Sequence, residues 1–76
     1  MDVVVTETFS PSESWQSRYR LAGEVQWTGT HVEQASNART RVLRGLQPDA
    51  VYQIGVSKIA ADGTMSAERV LEVVTL

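Results

Sequence analysis

The sequence contains no cysteine, so neither a disulfide nor a thiolate metal site can stabilise the fold. Its 76 residues suffice for one small domain, which must then be held together by core packing and sheet hydrogen bonds. No apolar run is long enough to span a bilayer, and no basic stretch precedes an apolar one as in a secretion signal. We therefore expect a single domain, residues 1–76, without membrane insertion. Met1 directly before Asp2 and a valine run suggests a module excised from a longer chain.

Groups that perform chemistry are also scarce. His31 is the only histidine, so a serine nucleophile has no other base to activate it and a transition-metal cluster has too few ligands. The nine acidic residues are scattered rather than paired, and no phosphate-binding glycine loop is present. A formal charge of −2 argues against a nucleic-acid partner. We predict that the chain is not an enzyme and binds no cofactor or metal.

The clearest pattern lies in residues 43–56. Tyr52, Ile54 and Val56 are spaced by two, which predicts a strand with one buried face. Pro48 lacks a backbone donor and favours a turn just before that strand. The Tyr52 hydroxyl is close enough in sequence to reach back to this turn, as in the tyrosine corner of Ig-like sandwiches.

Alternation predicts further strands on both sides of this corner. In residues 3–9 the phase that buries Val3 and Val5 is favoured over the one that buries Val4, and residues 18–28 form the strongest strand pattern in the first half. The strands flanking the corner predict a core that comprises Tyr19, Leu21, Val25, Trp27, Leu46, Tyr52, Ile54 and Val56. Later strands are predicted at residues 51–60, before an Asp62-Gly63 hairpin, and at residues 69–76.

The middle of the chain has the weakest β character. Val32 is the only large aliphatic residue in residues 29–38, so we expect this stretch to be the most mobile and to leave one sheet edge open to another subunit or domain. The alternative is a short strand from His31 to Gln34 that covers the edge. Residues 39–43 resume a strand, in which either Val42 or Leu43 points inward.

Five residues are candidates for contacts with a partner: Trp15, His31, Arg39, Arg41 and Arg44. The three arginines, with Arg18 and Arg20, would form a basic surface if the strands carried them on one face. The competing interpretation is that outward arginines keep strand edges soluble. Trp15 is either a contact residue or a lid on the core, and His31 is either a contact or a solvated loop residue.

The motif Leu46-x-Pro48-x-x-x-Tyr52-x-Ile54-x-Val56, followed by Asp-Gly and a final β run, resembles the second half of a fibronectin type III domain. The string Val25-Gln26-Trp27 resembles the second strand of that family, whose tryptophan closes the core. The chain departs from the family at Lys58 and in its shortened middle. The resemblance implies an all-β, Ig-like antiparallel β-sandwich with reduced central strands.

Val4 to Thr8, together with the arginine-rich residues 18–20 that lead to Val25-Gln26-Trp27, is similar to modules of tail-tip host-specificity proteins of lambda-like phages. That resemblance implies a structural or adhesion spacer in the virion. Its partners would be other domains of the parent chain, neighbouring tail subunits, or a host surface protein or glycan. The alternatives are a spacer in a secreted bacterial glycan-degrading enzyme and a cell-surface receptor module, both extracellular.

Overall fold

The fold is all-β, with its strands in two antiparallel sheets. The computed structural model describes residues 2–6, 8 and 10–76. The strands of the described residues are β1 (Val3–Thr6), β2 (Ser14–Leu21), β3 (Thr28–Gln34), β4 (Thr40–Leu43), β5 (Val51–Ile59) and β6 (Arg69–Val74).

One sheet has twice as many strands as the other. The wide sheet has the order β3-β2-β5-β6, and the narrow sheet consists of β1 and β4. We call the face of the wide sheet that carries Tyr52, Ile54 and Val56 its inner face, because all three side chains are at most 5% exposed. The opposite face is the outer face. Two sheets with a shared buried layer are compatible with a β-sandwich.

The predicted corner before β5 is confirmed in its hydrogen bonding. The Tyr52 hydroxyl accepts a hydrogen bond of 2.9 Å from the backbone N–H of Gln47. Thr75, just after β6, donates from its hydroxyl to the Gln47 carbonyl oxygen at 2.6 Å. The same hydroxyl accepts from the Ala50 N–H at 2.9 Å. Asp49 within this corner has φ 53°, in the left-handed region that an aspartate tolerates better than most residues.

The narrow sheet supplies the other side of the core. The predicted phase of β1 is confirmed, because Val5 is buried and Val3 packs on the core while Val4 is exposed. In β4 the inward residue is Leu43, which is 3% exposed. Leu46 is buried as predicted.

The prediction for residues 18–28 is wrong in its second half. The strand begins at Ser14 and ends at Leu21, and Gly23 then turns the chain with φ 93°. Val25 is consequently 88% exposed rather than buried. The tryptophan in the core is Trp15, 1% exposed, whose indole N–H donates to the Ala38 carbonyl at 2.9 Å.

For residues 29–38 the alternative prediction, a strand that covers the sheet edge, is confirmed, and the expected open edge is wrong. Strand β3 spans residues 28–34 and pairs with β2, from Ser14 opposite Gln34 to Tyr19 opposite Thr28. It covers the edge of β2, and β5 has neighbours on both sides. The edge that we expected to be open beside β5 is therefore closed.

Residues near both ends of the chain contact the same corner. Asp2 accepts a hydrogen bond of 3.2 Å from Arg44 and one of 3.4 Å from the backbone N–H of Gly45. Thr75 contacts the other half of this corner, as described above. Residues 2 and 75 thus lie at the same end of the molecule.

Candidate binding surface

The outer face of the wide sheet carries a cluster of two arginines and a tryptophan. The guanidinium carbon of Arg20 lies 4.2 Å from the centroid of the Trp27 ring, and that of Arg18 lies 4.6 Å from it. Both distances fall well within the range of cation–π contacts. We call Arg18, Arg20 and Trp27 the arginine–tryptophan cluster.

Hydrogen bonds fix both guanidinium groups of this cluster. Arg18 donates from Nε and Nη2 to the two carboxylate oxygens of Glu68, at 2.7 and 2.8 Å. Arg20 donates to the Gln53 side-chain oxygen at 2.8 Å and to the Val25 carbonyl at 3.1 Å. A two-point arginine–carboxylate pair sets direction as well as distance, so these side chains are held in one arrangement.

The strand geometry explains why these groups meet. Arg18 and Arg20 are two residues apart on β2, so they project from the same face. Gly55 lies directly opposite Arg18 on β5, and a Cβ atom there would collide with the Glu68 carboxylate. The absence of a side chain at Gly55 therefore makes room for the Arg18–Glu68 pair.

The ion pair also determines the charge of the cluster. Hydrogen bonds from Arg18 lower the pKa of Glu68, although burial opposes them. The same hydrogen bonds raise the pKa of Arg18. Glu68 is thus an anion and Arg18 a cation at neutral pH, so this pair is neutral and Arg20 is the second guanidinium group of the cluster. Glu72 adds a further carboxylate on the same outer face, opposite Gln53.

Arg41 lies on a different side of the molecule from this cluster. It is opposite the buried Val5 in the narrow sheet, so it faces the core side. Its Nη1 donates to the backbone and side-chain oxygens of Ser17 on β2, both at 3.0 Å. Burial lowers the pKa of Arg41. Because Arg41 bridges the two sheets, the five arginines do not form one basic face.

The other four candidate residues lie at different positions in the fold. Trp15 belongs to the core. Exposed His31 lies on β3, where its Nε2 is 3.2 Å from a carboxylate oxygen of Glu33. Arg39 is exposed just before β4, and Arg44 is exposed at the corner.

Exposed valines surround the arginine–tryptophan cluster on the outer face. Val70, 48% exposed, is opposite Gly55, and Val25, 88% exposed, lies in the loop that carries Trp27. The sequence pattern contained a signal for part of this surface, namely two arginines spaced by two on the outward phase of a strand. It contained none for Glu68, which lies outside the strands.

Comparisons with protein families and with curated proteins find no match to this chain. Among the described residues, no three metal-binding side chains come together. The described part of the chain also has no helix that is long and apolar enough to cross a membrane.

Proposed function

We propose that this chain is a fibronectin type III-like module that acts as a non-catalytic structural and adhesion unit of a phage tail-tip protein. The observation that carries the proposal is the hydrogen bond between the Tyr52 hydroxyl and the Gln47 N–H at the corner. It is the contact expected of a tyrosine corner in an Ig-like sandwich. The two antiparallel sheets are also compatible with that architecture. The assignment to a tail tip comes from the sequence resemblance of residues 4–8, 18–20 and 25–27.

The arginine–tryptophan cluster is the contact surface that we assign to the module. Trp27 is half-buried and anchored, so it offers aromatic area at little cost in side-chain entropy. The guanidinium groups and the neighbouring exposed valines suit a protein surface or a glycan with acidic groups. The partner in this proposal is a neighbouring tail subunit or a host surface molecule.

The test replaces residues 1–76 in the parent tail protein and measures particle assembly and adsorption to host cells separately. An unrelated β-sandwich of similar length in this position should preserve assembly and reduce adsorption. The double variant Arg20→Ser and Trp27→Ser should do the same if the cluster makes the contact. A matched double variant at the exposed Arg39 and at Val42 on the narrow sheet, each changed to Ser, should leave adsorption unchanged.

Two results would overturn parts of the proposal. Full adsorption with the unrelated sandwich means that the module is a spacer without adhesive function. A parent protein that is absent from the purified particles means that the tail-tip assignment is wrong.

A further inference from the structure

The cover over the inner face of the wide sheet ends abruptly between β5 and β6. Ile54 and Leu71 are opposite each other on these neighbouring strands and share the inner face. Ile54 is 1% exposed, whereas Leu71 is 40% exposed. One strand spacing, about 4.8 Å, thus separates a fully covered side chain from a partly uncovered one.

The position of the narrow sheet explains this step. Strand β4 lies over β2, because Arg41 on β4 donates to Ser17 on β2. Strand β1 pairs with β4 and must then lie over β3 or over β5. The inner positions of β3 are the polar His31 and Glu33, whereas those of β5 are apolar and buried. Since Val5 of β1 is also buried, β1 lies over β5.

One edge of β1 pairs with β4. The other edge consequently faces the side on which β6 extends beyond the narrow sheet. Among the described residues β1 pairs only with β4, so this edge presents backbone donors and acceptors without a strand partner. Leu71 and the half-buried Val73 form an apolar floor below that edge. We call the free edge of β1 together with Leu71 and Val73 the open flank.

The shape of the open flank selects its occupant. A second copy cannot pair its own β1 with this edge. Its β5 lies below its β1, and the first copy's β6 already occupies that space. A single extended strand fits, since it supplies backbone hydrogen bonds to β1 and a side chain to the floor at every second residue.

The inner-face side chains of β6 further restrict the sequence of that strand. Arg69, Leu71 and Val73 follow one another along the inner face of β6 at spacings of two. β1 runs away from the corner, whereas β6 runs toward it. A strand that pairs antiparallel with β1 therefore runs in the same direction as β6. Apolar side chains over Leu71 and Val73, two residues apart on the added strand, complement this row.

We propose that the open flank binds one extended strand donated by another polypeptide chain, with two apolar residues at a spacing of two. This inference stands apart from the tail-tip assignment, since it depends only on the two sheets. It identifies a second contact surface, distinct from the arginine–tryptophan cluster on the outer face.

The test uses the synthetic peptide Ser-Glu-Thr-Val-Thr-Val-Thr, blocked at both ends, with the isotope-labelled domain in solution. At peptide concentrations of about 1 mM, where weak complexes are populated, we expect saturable changes in NMR shift at the β1 amides and at the Leu71 and Val73 methyl groups. A peptide of the same composition with adjacent valines, Ser-Glu-Thr-Thr-Val-Val-Thr, should bind much more weakly, because only one valine can face the floor.

A matched pair of variants on β6 separates the open flank from the rest of the strand. Leu71→Ser should weaken peptide binding about tenfold, the effect of losing one buried aliphatic side chain. Val70→Ser removes a similarly exposed side chain from the outer face of the same strand and should leave binding unchanged.

Three outcomes would overturn the proposal. Equal binding of both peptides would show that the alternation of valines does not contribute to binding. Shift changes confined to β6 amides, without changes in β1, would mean that the peptide extends the wide sheet instead. A concentration-dependent dimer that Leu71→Ser abolishes, measured by sedimentation without peptide, would make a second copy the occupant.

Discussion

The two tryptophans should differ sharply in their contribution to stability, because only Trp15 is in the core. Trp15 is 1% exposed and its indole N–H is bonded to Ala38. Trp15→Ala should lower the free energy of unfolding by about 3–5 kcal/mol through lost burial and a cavity. A chain of 76 residues has roughly 4–11 kcal/mol in total, so this variant should lose between about a quarter and all of its stability.

Trp27→Ala is the matched control for this prediction. It loses two cation–π contacts of about 0.5–1 kcal/mol each, so it should remain folded. Trp15→Phe keeps a ring in the core but loses the indole hydrogen bond, so an intermediate loss of about 1–3 kcal/mol is expected. Urea unfolding followed by far-ultraviolet circular dichroism measures all three variants without relying on tryptophan fluorescence. Equal losses for Trp15→Ala and Trp27→Ala would refute our assignment of the core.

Three further variants test the corner and the ion pair. Tyr52→Phe removes the hydroxyl that accepts from Gln47 and should lower the unfolding free energy by about 0.5–1.5 kcal/mol in urea titrations; no loss would mean that the corner bond is not formed in solution. Thr75→Val keeps the volume but leaves the backbone groups of the corner without this partner, and should cost about 1–3 kcal/mol by thermal unfolding, a change that Thr75→Ser should largely avoid. The pKa of Glu68 is lowered in the folded state by Arg18, so its contribution to stability is present above the unfolded pKa and is lost as pH falls through the lower, folded pKa. Unfolding midpoints measured from neutral to acidic pH should fall less steeply in Glu68→Gln than in the wild type, and parallel profiles would contradict this linkage.

The regions predicted correctly are those in which local pattern and tertiary packing agree. Strand β5 is covered on its inner face along most of its length, so the alternation of Tyr52, Ile54 and Val56 was a reliable guide to burial. The corner was predictable because Pro48 and Asp49 restrict the backbone there, whatever the rest of the fold. For the arginine–tryptophan cluster, only the spacing of its two arginines was visible in the sequence.

The predictions failed in two places. After β2 the apolar alternation continues beyond the end of the strand, and in β3 the alternation is absent although a strand forms. Val25 and Trp27 are in phase with Tyr19 and Leu21, but the turn at Gly23 separates them from that strand. The lack of apolar residues in β3 follows from its position, since an edge strand that the narrow sheet does not cover has little apolar surface to bury. Neither the turn nor the width of the narrow sheet is encoded in local periodicity.

The shared position of residues 2 and 75 at the corner has a mechanical consequence. A pulling force applied between them is directed across the strands rather than along them. Hydrogen bonds of an antiparallel ladder lie perpendicular to the strands, so this force stretches them one pair after another from the corner inward. β1 and β6 would peel away at low force, and the rate of forced unfolding would be governed by those first few bonds. A force applied between residue 2 and the Asp62-Gly63 turn would instead be directed along β1, and should meet higher resistance.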